Sequence, residues 1–263
     1  MPKRPAAYYR PETLSEALQL LTQPDTVPLA GGTKLLAGDV TSAVVDLQLL
    51  GLNEIVLENG VLEAGATVRL SDLAAWLQAN GGDAAALLLT AIRQAGPNTY
   101  RNAATLGGTI ASRLPDSELL AVLLVLEASL VLYAPAETEM SLAAYLAAEE
   151  RPSGLITHIR IPWGAGTGRS ERVARTPADY PIVAIVCWQP AGEKPRLAGT
   201  GLGKRPFRLT AAEACLTPQF TDEMIQQAAA AAHDACHHPG DFRGDAEYRA
   251  DMAAVLTRRV LRE

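Results

Sequence analysis

Apolar residues recur along the chain at two spacings, and these spacings predict both helices and strands. Between positions 14 and 21 they lie three or four residues apart, which is helical spacing. Thr13 precedes this segment as a cap, and Glu16 completes the pattern of a capping box. Short apolar runs at 27–30 and 43–47 predict two strands. The first fifty residues therefore predict a small β/α unit.

The centre of the chain continues the same alternation of short strands and helices. Two apolar runs flank Glu58-Asn-Gly60, which predicts a hairpin because Asn-Gly adopts the positive φ angles of a tight turn. Ser71 is placed to cap an amphipathic helix. We further predict helices over 84–95, 111–126 and 140–148, and strands over 129–133 and 155–161.

A polar segment rich in Gly, Ser and Arg, residues 164–172, predicts a connection to a third segment. Beyond it we predict strands over 180–188 and 195–199, followed by helices over 210–215, 222–233 and 246–261. The pattern divides the chain into an N-terminal β/α subdomain (1–52), a central α/β subdomain (53–165) and a C-terminal domain (166–263).

Composition indicates a folded protein with an acidic surface. The chain has 263 residues, of which 48% are hydrophobic and 20% charged, with a net charge of −6. An acidic chain is a poor match for nucleic acid or an anionic membrane. It contains no run of eighteen apolar residues, and it begins with the polar Met1-Pro-Lys-Arg-Pro5, so we predict neither a membrane span nor a signal peptide.

The three cysteines, Cys187, Cys215 and Cys236, are scattered and odd in number. This usage is typical of a reducing compartment, and we expect a cytoplasmic protein. The chain has no Cys-x-x-Cys pair, so we expect no iron–sulfur cluster on it. His233, Cys236 and His237 have a helical spacing that could bind zinc. Because they precede a helix-ending Pro-Gly, a capping role is favoured, and we predict no metal site.

The first stretch with candidate chemistry is Pro28-Leu-Ala-Gly-Gly-Thr-Lys-Leu35, which follows a predicted strand. Gly31 and Gly32 allow a sharp turn and close approach of a ligand, and Thr33 is placed to cap a following helix. A turn with several free N–H groups is a cradle for an anion, most often phosphate. Taken alone, the segment also fits an ordinary strand-to-helix turn.

A second glycine turn lies within residues 98–112, between two apolar helical segments. Thr105, Gly107 and Gly108 repeat the ingredients of the first turn: a hydroxyl group and a backbone open to close approach. Two such turns suggest one ligand with two phosphates, held from both sides. On physical grounds alone, two unrelated surface turns stay a second interpretation.

Several motifs in order along the chain resemble one family. Ala30-Gly-Gly-Thr-Lys-Leu35 is similar to its signature Ala-Gly-Gly-Thr/His-x-Leu. Arg101-Asn-Ala-Ala-Thr-Leu-Gly-Gly-Thr-Ile-Ala111 is similar to Arg-Asn-x-x-Thr-Ile/Val-Gly-Gly-Asn-x-Ala. Pro115-Asp-Ser-Glu-Leu119 and Asp241-Phe-Arg-Gly-Asp-Ala-Glu-Tyr-Arg249 match later elements. The chain resembles the FAD-binding, or medium, subunit of the molybdenum hydroxylases, such as xanthine dehydrogenase and aerobic carbon monoxide dehydrogenase.

This resemblance implies an α/β (α+β) fold. It would combine a two-subdomain FAD-binding fold of the PCMH/vanillyl-alcohol-oxidase type with a C-terminal small antiparallel sheet with helices. It also implies an oxidoreductase subunit. Substrate would be oxidised at the molybdenum cofactor of a large partner subunit, and electrons would cross [2Fe–2S] clusters on a small partner subunit. They would then reach FAD on this chain and pass to NAD⁺ or another acceptor.

The resemblance further implies cofactor contacts at individual positions. The amides of the first loop would hold the pyrophosphate of FAD, and Thr105 would contact FAD beside Gly107 and Gly108. Glu118 stands where the family has a cofactor-binding Asp, and Tyr180 matches a residue near the isoalloxazine ring that could gate access of an acceptor. The full set of implied contacts is Pro28, Leu29, Ala30, Gly31, Gly32, Thr33, Lys34, Leu35, Thr105, Gly107, Gly108, Thr109, Glu118, Ile156, Arg172 and Tyr180. No catalytic acid or base is predicted.

The chain also departs from the family pattern. Thr109 replaces the usual Asn, Ala103 and Ala104 replace a common Arg-Gly, and Glu118 replaces Asp. These changes affect the expected ring site more than a pyrophosphate grip made by backbone groups. Two alternatives therefore stay open: a non-catalytic flavin-binding or assembly protein, and a stand-alone flavin-dependent oxidoreductase.

Overall fold

The protein was analysed as a computed structural model, which describes residues 4–134 and 136–262. Its first unit is a parallel three-stranded sheet with one helix. The elements are β1 (Tyr8–Tyr9), α1 (Leu14–Leu21), β2 (Thr26–Leu29) and β3 (Ala43–Asp46), and the strand order is β1-β3-β2. Thr13 caps α1 as predicted, because its Oγ1 accepts a 3.2 Å hydrogen bond from the Glu16 amide. The carboxyl ends of all three strands share one edge, where α/β folds place ligands.

The predicted helix after Thr33 is absent from this described segment, so that prediction is wrong. Residues 33–37 form a turn, in which the Leu36 amide donates to the Gly32 carbonyl at 2.9 Å. One such bond does not offset the cost of nucleating a helix, and the chain continues to β3 in an irregular path.

The central unit contains a five-stranded antiparallel sheet and six helices among the described residues. Its strand order is β4-β5-β8-β6-β7. The elements are β4 (Ile55–Glu58), β5 (Val61–Gly65), α2 (Leu70–Asn80), α3 (Asp83–Gln94), α4 (Asn98–Arg101), α5 (Leu106–Ser112), α6 (Glu118–Val125), β6 (Ser129–Tyr133), β7 (Glu137–Ser141), α7 (Leu142–Ala147) and β8 (Leu155–Pro162). The predicted hairpin is confirmed: Asn59 and Gly60 have φ angles of 52° and 75° between β4 and β5.

Three predicted helices of this unit differ from the structure. The helix expected over 111–126 is divided, because Arg113 ends α5 in the left-handed conformation and Pro115 follows. Ser71 is not a cap, since α2 begins at Leu70 after Arg69. The helix expected over 140–148 is shorter, because residues 137–141 pair with β6 instead.

The third unit is a four-stranded antiparallel sheet of order β12-β11-β10-β9, followed by helices. The elements are β9 (Gly166–Val173), β10 (Val183–Pro190), β11 (Arg196–Thr200), β12 (Phe207–Arg208), α8 (Thr210–Ala214), α9 (Asp222–Asp234) and α10 (Ala246–Arg262). The prediction that 164–172 is a connection is wrong, because β9 pairs with β10 along its whole length. A Cβ at Gly166 would lie 2.6 Å from the Trp188 indole. The glycine that made this segment resemble a loop therefore makes room for the Trp188 ring.

Arg249 of α10 fixes the start of β10 from inside the third unit. Its side chain is fully buried, and Nη1 donates to the carbonyls of Ile182 at 2.6 Å and Gly201 at 2.9 Å. Nη2 pairs with Asp241 Oδ1 at 2.7 Å. The tail motif around Asp241 therefore anchors the segment that carries Tyr180.

Among the described residues, no helix is both long and apolar enough to cross a membrane. The prediction about the polar start, Met1 to Pro5, falls partly on residues 1–3, which lie outside the described residues.

Candidate functional site

The two glycine turns meet backbone to backbone. Gly31 follows β2, and Ala103 lies just before α5. A Cβ placed on Gly31 would lie 1.9 Å from the carbonyl oxygen of Ala103 and 3.2 Å from the Cα of Ala104. No side chain fits there without separating the turns, so glycine is required by this contact.

Both turns line one cleft of about 430 Å³. From the set of implied contacts, the cleft is lined by Pro28, Leu29, Ala30, Gly31, Gly32, Thr33, Lys34, Leu35, Thr105, Gly108 and Thr109. Gly107 packs elsewhere: a Cβ on it would lie 2.6 Å from that of Ala66, so it allows α5 to approach β5 closely. Tyr100 and Arg151 also line the cleft and were not predicted. Tyr100 lies within the second motif, but an aromatic residue there carries no distinctive spacing.

Residues with free hydrogen-bond donors line this cleft. Within the described part of the chain, the amides of residues 31–34 donate to no backbone carbonyl. Thr105 Oγ1 accepts from the Gly108 amide at 3.1 Å, which leaves the hydroxyl proton of Thr105 able to donate. Free amides, a hydroxyl group and closely packed glycines fit a diphosphate group. Thr109 stands at the position of the family's Asn, and its hydroxyl group donates a 2.9 Å hydrogen bond to the Thr105 carbonyl.

A second group of polar residues joins α6 to β9. Glu118 is 5% exposed, and its Oε2 lies 2.9 Å from Arg172 Nη1, while Ser170 Oγ donates to Oε1 at 3.2 Å. With its amide nitrogen turned inward, Gln94 donates to the same carboxylate at 2.9 Å. Burial raises the pKa of Glu118, and Arg172 and Ser170 act in the opposite direction. This carboxylate is thus fully engaged by protein groups.

Tyr100 and Thr109 connect the cleft to a much smaller cavity of about 20 Å³, which Glu118 and Tyr180 also line. Burial raises the pKa of Tyr100, and the nearby hydroxyls of Thr33 and Thr109 oppose that shift. The Tyr180 hydroxyl donates to the Ala95 carbonyl at 3.3 Å. Glu118 and Tyr180 are therefore placed at one end of the glycine-lined cleft.

Ile156 is an implied FAD contact that the structure places in the hydrophobic core and not at the cleft. It is 7% exposed in β8, opposite Leu132, and belongs to the core of the central unit. It does not line the cleft or the small cavity. Arg172 likewise meets protein groups, Glu118 and the Asp179 carbonyl, rather than the cleft wall.

A second, more polar cleft of about 520 Å³ adjoins the first at the contact between Gly31 and Ala103. Arg10 and Gln48, which follow β1 and β3, line it together with Arg69 and Asn102. Ala30, Gly31 and Thr105 line both clefts, so the two adjoin each other, and an anion could bind in either. Among the described residues, no group of three His, Cys, Asp or Glu side chains is arranged to hold a metal ion.

Comparison with known protein families identifies two matching models that together span nearly the whole chain. Residues 4–164 match the FAD binding domain in molybdopterin dehydrogenase. Residues 171–263 match the CO dehydrogenase flavoprotein C-terminal domain. The first match alone covers more than half of the sequence.

Similar curated proteins and solved structures agree with these matches. The carbon monoxide dehydrogenase medium chain of Afipia carboxidovorans is 31% identical over 274 residues, which cover 97% of this chain and 94% of that protein. The glyceraldehyde dehydrogenase medium chain of Sulfolobus acidocaldarius is 29% identical over 277 residues, covering 98% and 97%. A chain of carbon monoxide dehydrogenase from Hydrogenophaga pseudoflava superposes with a TM-score of 0.90 at 27% identity, covering 99% and 97%.

Proposed function

Because the chain belongs to the family of FAD-binding domains of molybdopterin dehydrogenases, we propose that it relays electrons from [2Fe–2S] clusters of a partner subunit, through FAD, to NAD⁺ or another acceptor. The chain is an FAD-binding oxidoreductase subunit of the molybdenum hydroxylase type, equivalent to a medium chain. In this proposal a large subunit holds the molybdenum cofactor, and a small subunit holds the clusters.

The contact between Gly31 and Ala103 is the observation that best supports this proposal. It brings two sequence motifs into one cleft, which is lined by Thr105 and by residues 31–34, whose amides donate to no backbone carbonyl of the described residues. These groups would hold the pyrophosphate of FAD. The division into units 1–52, 53–165 and 166–263 is part of the proposal, with the cleft between the first two.

FAD supplies the redox chemistry in such a subunit, while the protein binds and orients it. The backbone amides of residues 31–34 and the hydroxyl group of Thr105 would hold the cofactor, while Pro28, Leu29, Ala30, Leu35 and Gly108 would line the cleft around it. Glu118 would act through Arg172: their ion pair, with a 2.9 Å N–O distance and little solvent exposure, joins α6 to β9 and holds the end of the cleft in shape. Tyr180 would cover that end and exclude water.

A direct test mixes the FAD-loaded chain with its chemically reduced [2Fe–2S] partner subunit under anaerobic conditions. The proposal predicts loss of the oxidised-flavin absorbance in a stopped-flow experiment, and its return when an acceptor such as NAD⁺ is added. NADH is mixed with the chain alone as the second arm. Flavin reduction by NADH but not by the partner subunit would indicate a stand-alone flavin-dependent oxidoreductase, and no transfer in either arm would indicate a flavin-binding or assembly protein.

A further inference from the structure

Lys34 is the charged residue of the first glycine loop, and its surroundings are aromatic. Its Nζ lies 5.6 Å from the ring centroid of Tyr180 and 6.0 Å from that of Tyr100. An ammonium group over a tyrosine face is attracted by the negative face of the ring. Lys34 therefore makes two cation–π contacts.

The two rings belong to segments of different character. Tyr100 lies in the short helix α4 and packs against the backbone of Gly96, where a Cβ would be 3.0 Å from its Cδ1. Tyr180 lies in the connection between β9 and β10, is 36% exposed, and otherwise contacts the central unit through its hydroxyl bond to Ala95. Lys34 thus links a packed ring of the central unit to a ring carried by a surface segment.

This contact lies at the end of the FAD cleft. Lys34 and Tyr100 line the cleft itself, and Tyr100 and Tyr180 line the small cavity that continues from it. Only about 20 Å³ is left in that cavity, so the Tyr180 side chain closes this end. We propose that Lys34 is a positioning residue that holds Tyr180 across the end of the cleft and thereby shields bound FAD from molecules in solution.

The test measures the exposure of bound FAD with a neutral quencher. Acrylamide is added to the FAD-loaded wild-type chain and to K34M, K34R and Y180A, and the flavin fluorescence lifetime is recorded. Removing a cation–π contact of ordinary strength should raise the quenching constant about 2- to 5-fold in K34M. Y180A should show at least the same rise. K34R, which keeps a cation over the rings, should behave like the wild type.

The double variant K34M/Y180A separates positioning from a direct effect of the lysine. If Lys34 acts through Tyr180, the double variant should quench no faster than Y180A. Additive increases, or an unchanged quenching constant in K34M, would overturn the proposal. A neutral quencher is used because iodide would respond to the lost charge itself.

Hydrogen exchange keeps the inference testable if a variant does not retain FAD. Amides of residues 174–182 should exchange faster in K34M than in the wild type or in K34R, and equal rates would contradict the proposal. The inference requires FAD binding by this chain but not electron transfer from a partner. If the relay experiment fails while K34M raises the quenching constant, only the proposed relay function is wrong. If the relay succeeds while the quenching constant of K34M is unchanged, only the proposed role of Lys34 is wrong.

Discussion

Replacing Gly31 with alanine should weaken FAD binding by separating the two glycine turns. The added Cβ would lie 1.9 Å from the Ala103 carbonyl oxygen and 2.8 Å from its carbon, both backbone atoms that cannot rotate away. An ordinary carbon contact needs about 3.5 Å, so the turns must separate by about 1.5 Å. Overpacking of this kind costs about 1–3 kcal/mol of folding stability.

The same substitution should also lower the affinity for FAD. A shift of that size removes at least one hydrogen bond to the charged pyrophosphate, worth about 1.5–3 kcal/mol, or roughly a 10- to 150-fold rise in Kd. Isothermal titration of FAD into the apo-chain measures the Kd, and urea unfolding without FAD measures the stability. Gly38→Ala is the matched control, because a Cβ at Gly38 meets no atom within 4 Å. Wild-type affinity in Gly31→Ala, with normal folding, would refute the argument.

Four further predictions concern a helix cap, the carboxylates of Glu118 and Asp241, and the cysteines. Thr105→Val removes the cap of α5 and a donor to the cleft, so it should cost about 1 kcal/mol of stability and also raise the Kd for FAD, whereas Thr13→Val, which removes the cap of α1, should cost stability alone. Burial raises the pKa of Glu118, so the native protein binds that proton more tightly than the unfolded protein does. The free energy of unfolding should therefore fall as the pH rises above 4.5. Urea unfolding at a series of pH values should show a smaller fall in Glu118→Gln. Asp241 behaves oppositely: burial is outweighed by the Arg243 amide and the Arg249 guanidinium, which hold its pKa below 3.8, so Asp241→Asn should remove stability that the wild type loses only in acid. Burial raises the pKa of Cys187 to about 12, so iodoacetamide should label Cys215 and Cys236 before Cys187 in a peptide-mapping experiment.

The sequence supported the family, the cofactor and the fold class because each is carried by local motifs or by hydrophobic period. Both glycine turns are visible in Gly31-Gly32 and Gly107-Gly108, and the resemblance built on them is confirmed by the family matches. The strands β4, β5, β6 and β8 of the central sheet follow apolar runs, which local pattern detects well, whereas the polar β7 was not predicted. Their pairing order, β4-β5-β8-β6-β7, is a non-local property that the pattern does not contain.

Some predictions failed because the structure of the segment depends on residues outside it. Residues 166–173 have the composition of a loop, yet the glycines admit the Trp188 ring and the segment pairs with β10. Thr33 has the right chemistry for a cap, but no helix follows it. The contact of Gly31 with Ala103, and the position of Lys34 between two tyrosine rings, both arise only when distant segments meet.

A structure of the FAD-loaded chain would test the central claim most directly. We predict density for the pyrophosphate beside the amides of residues 32–34 and beside Gly108, which line the first cleft and not the second. Pyrophosphate density in the second cleft, beside Arg10 and Arg69, would contradict this claim.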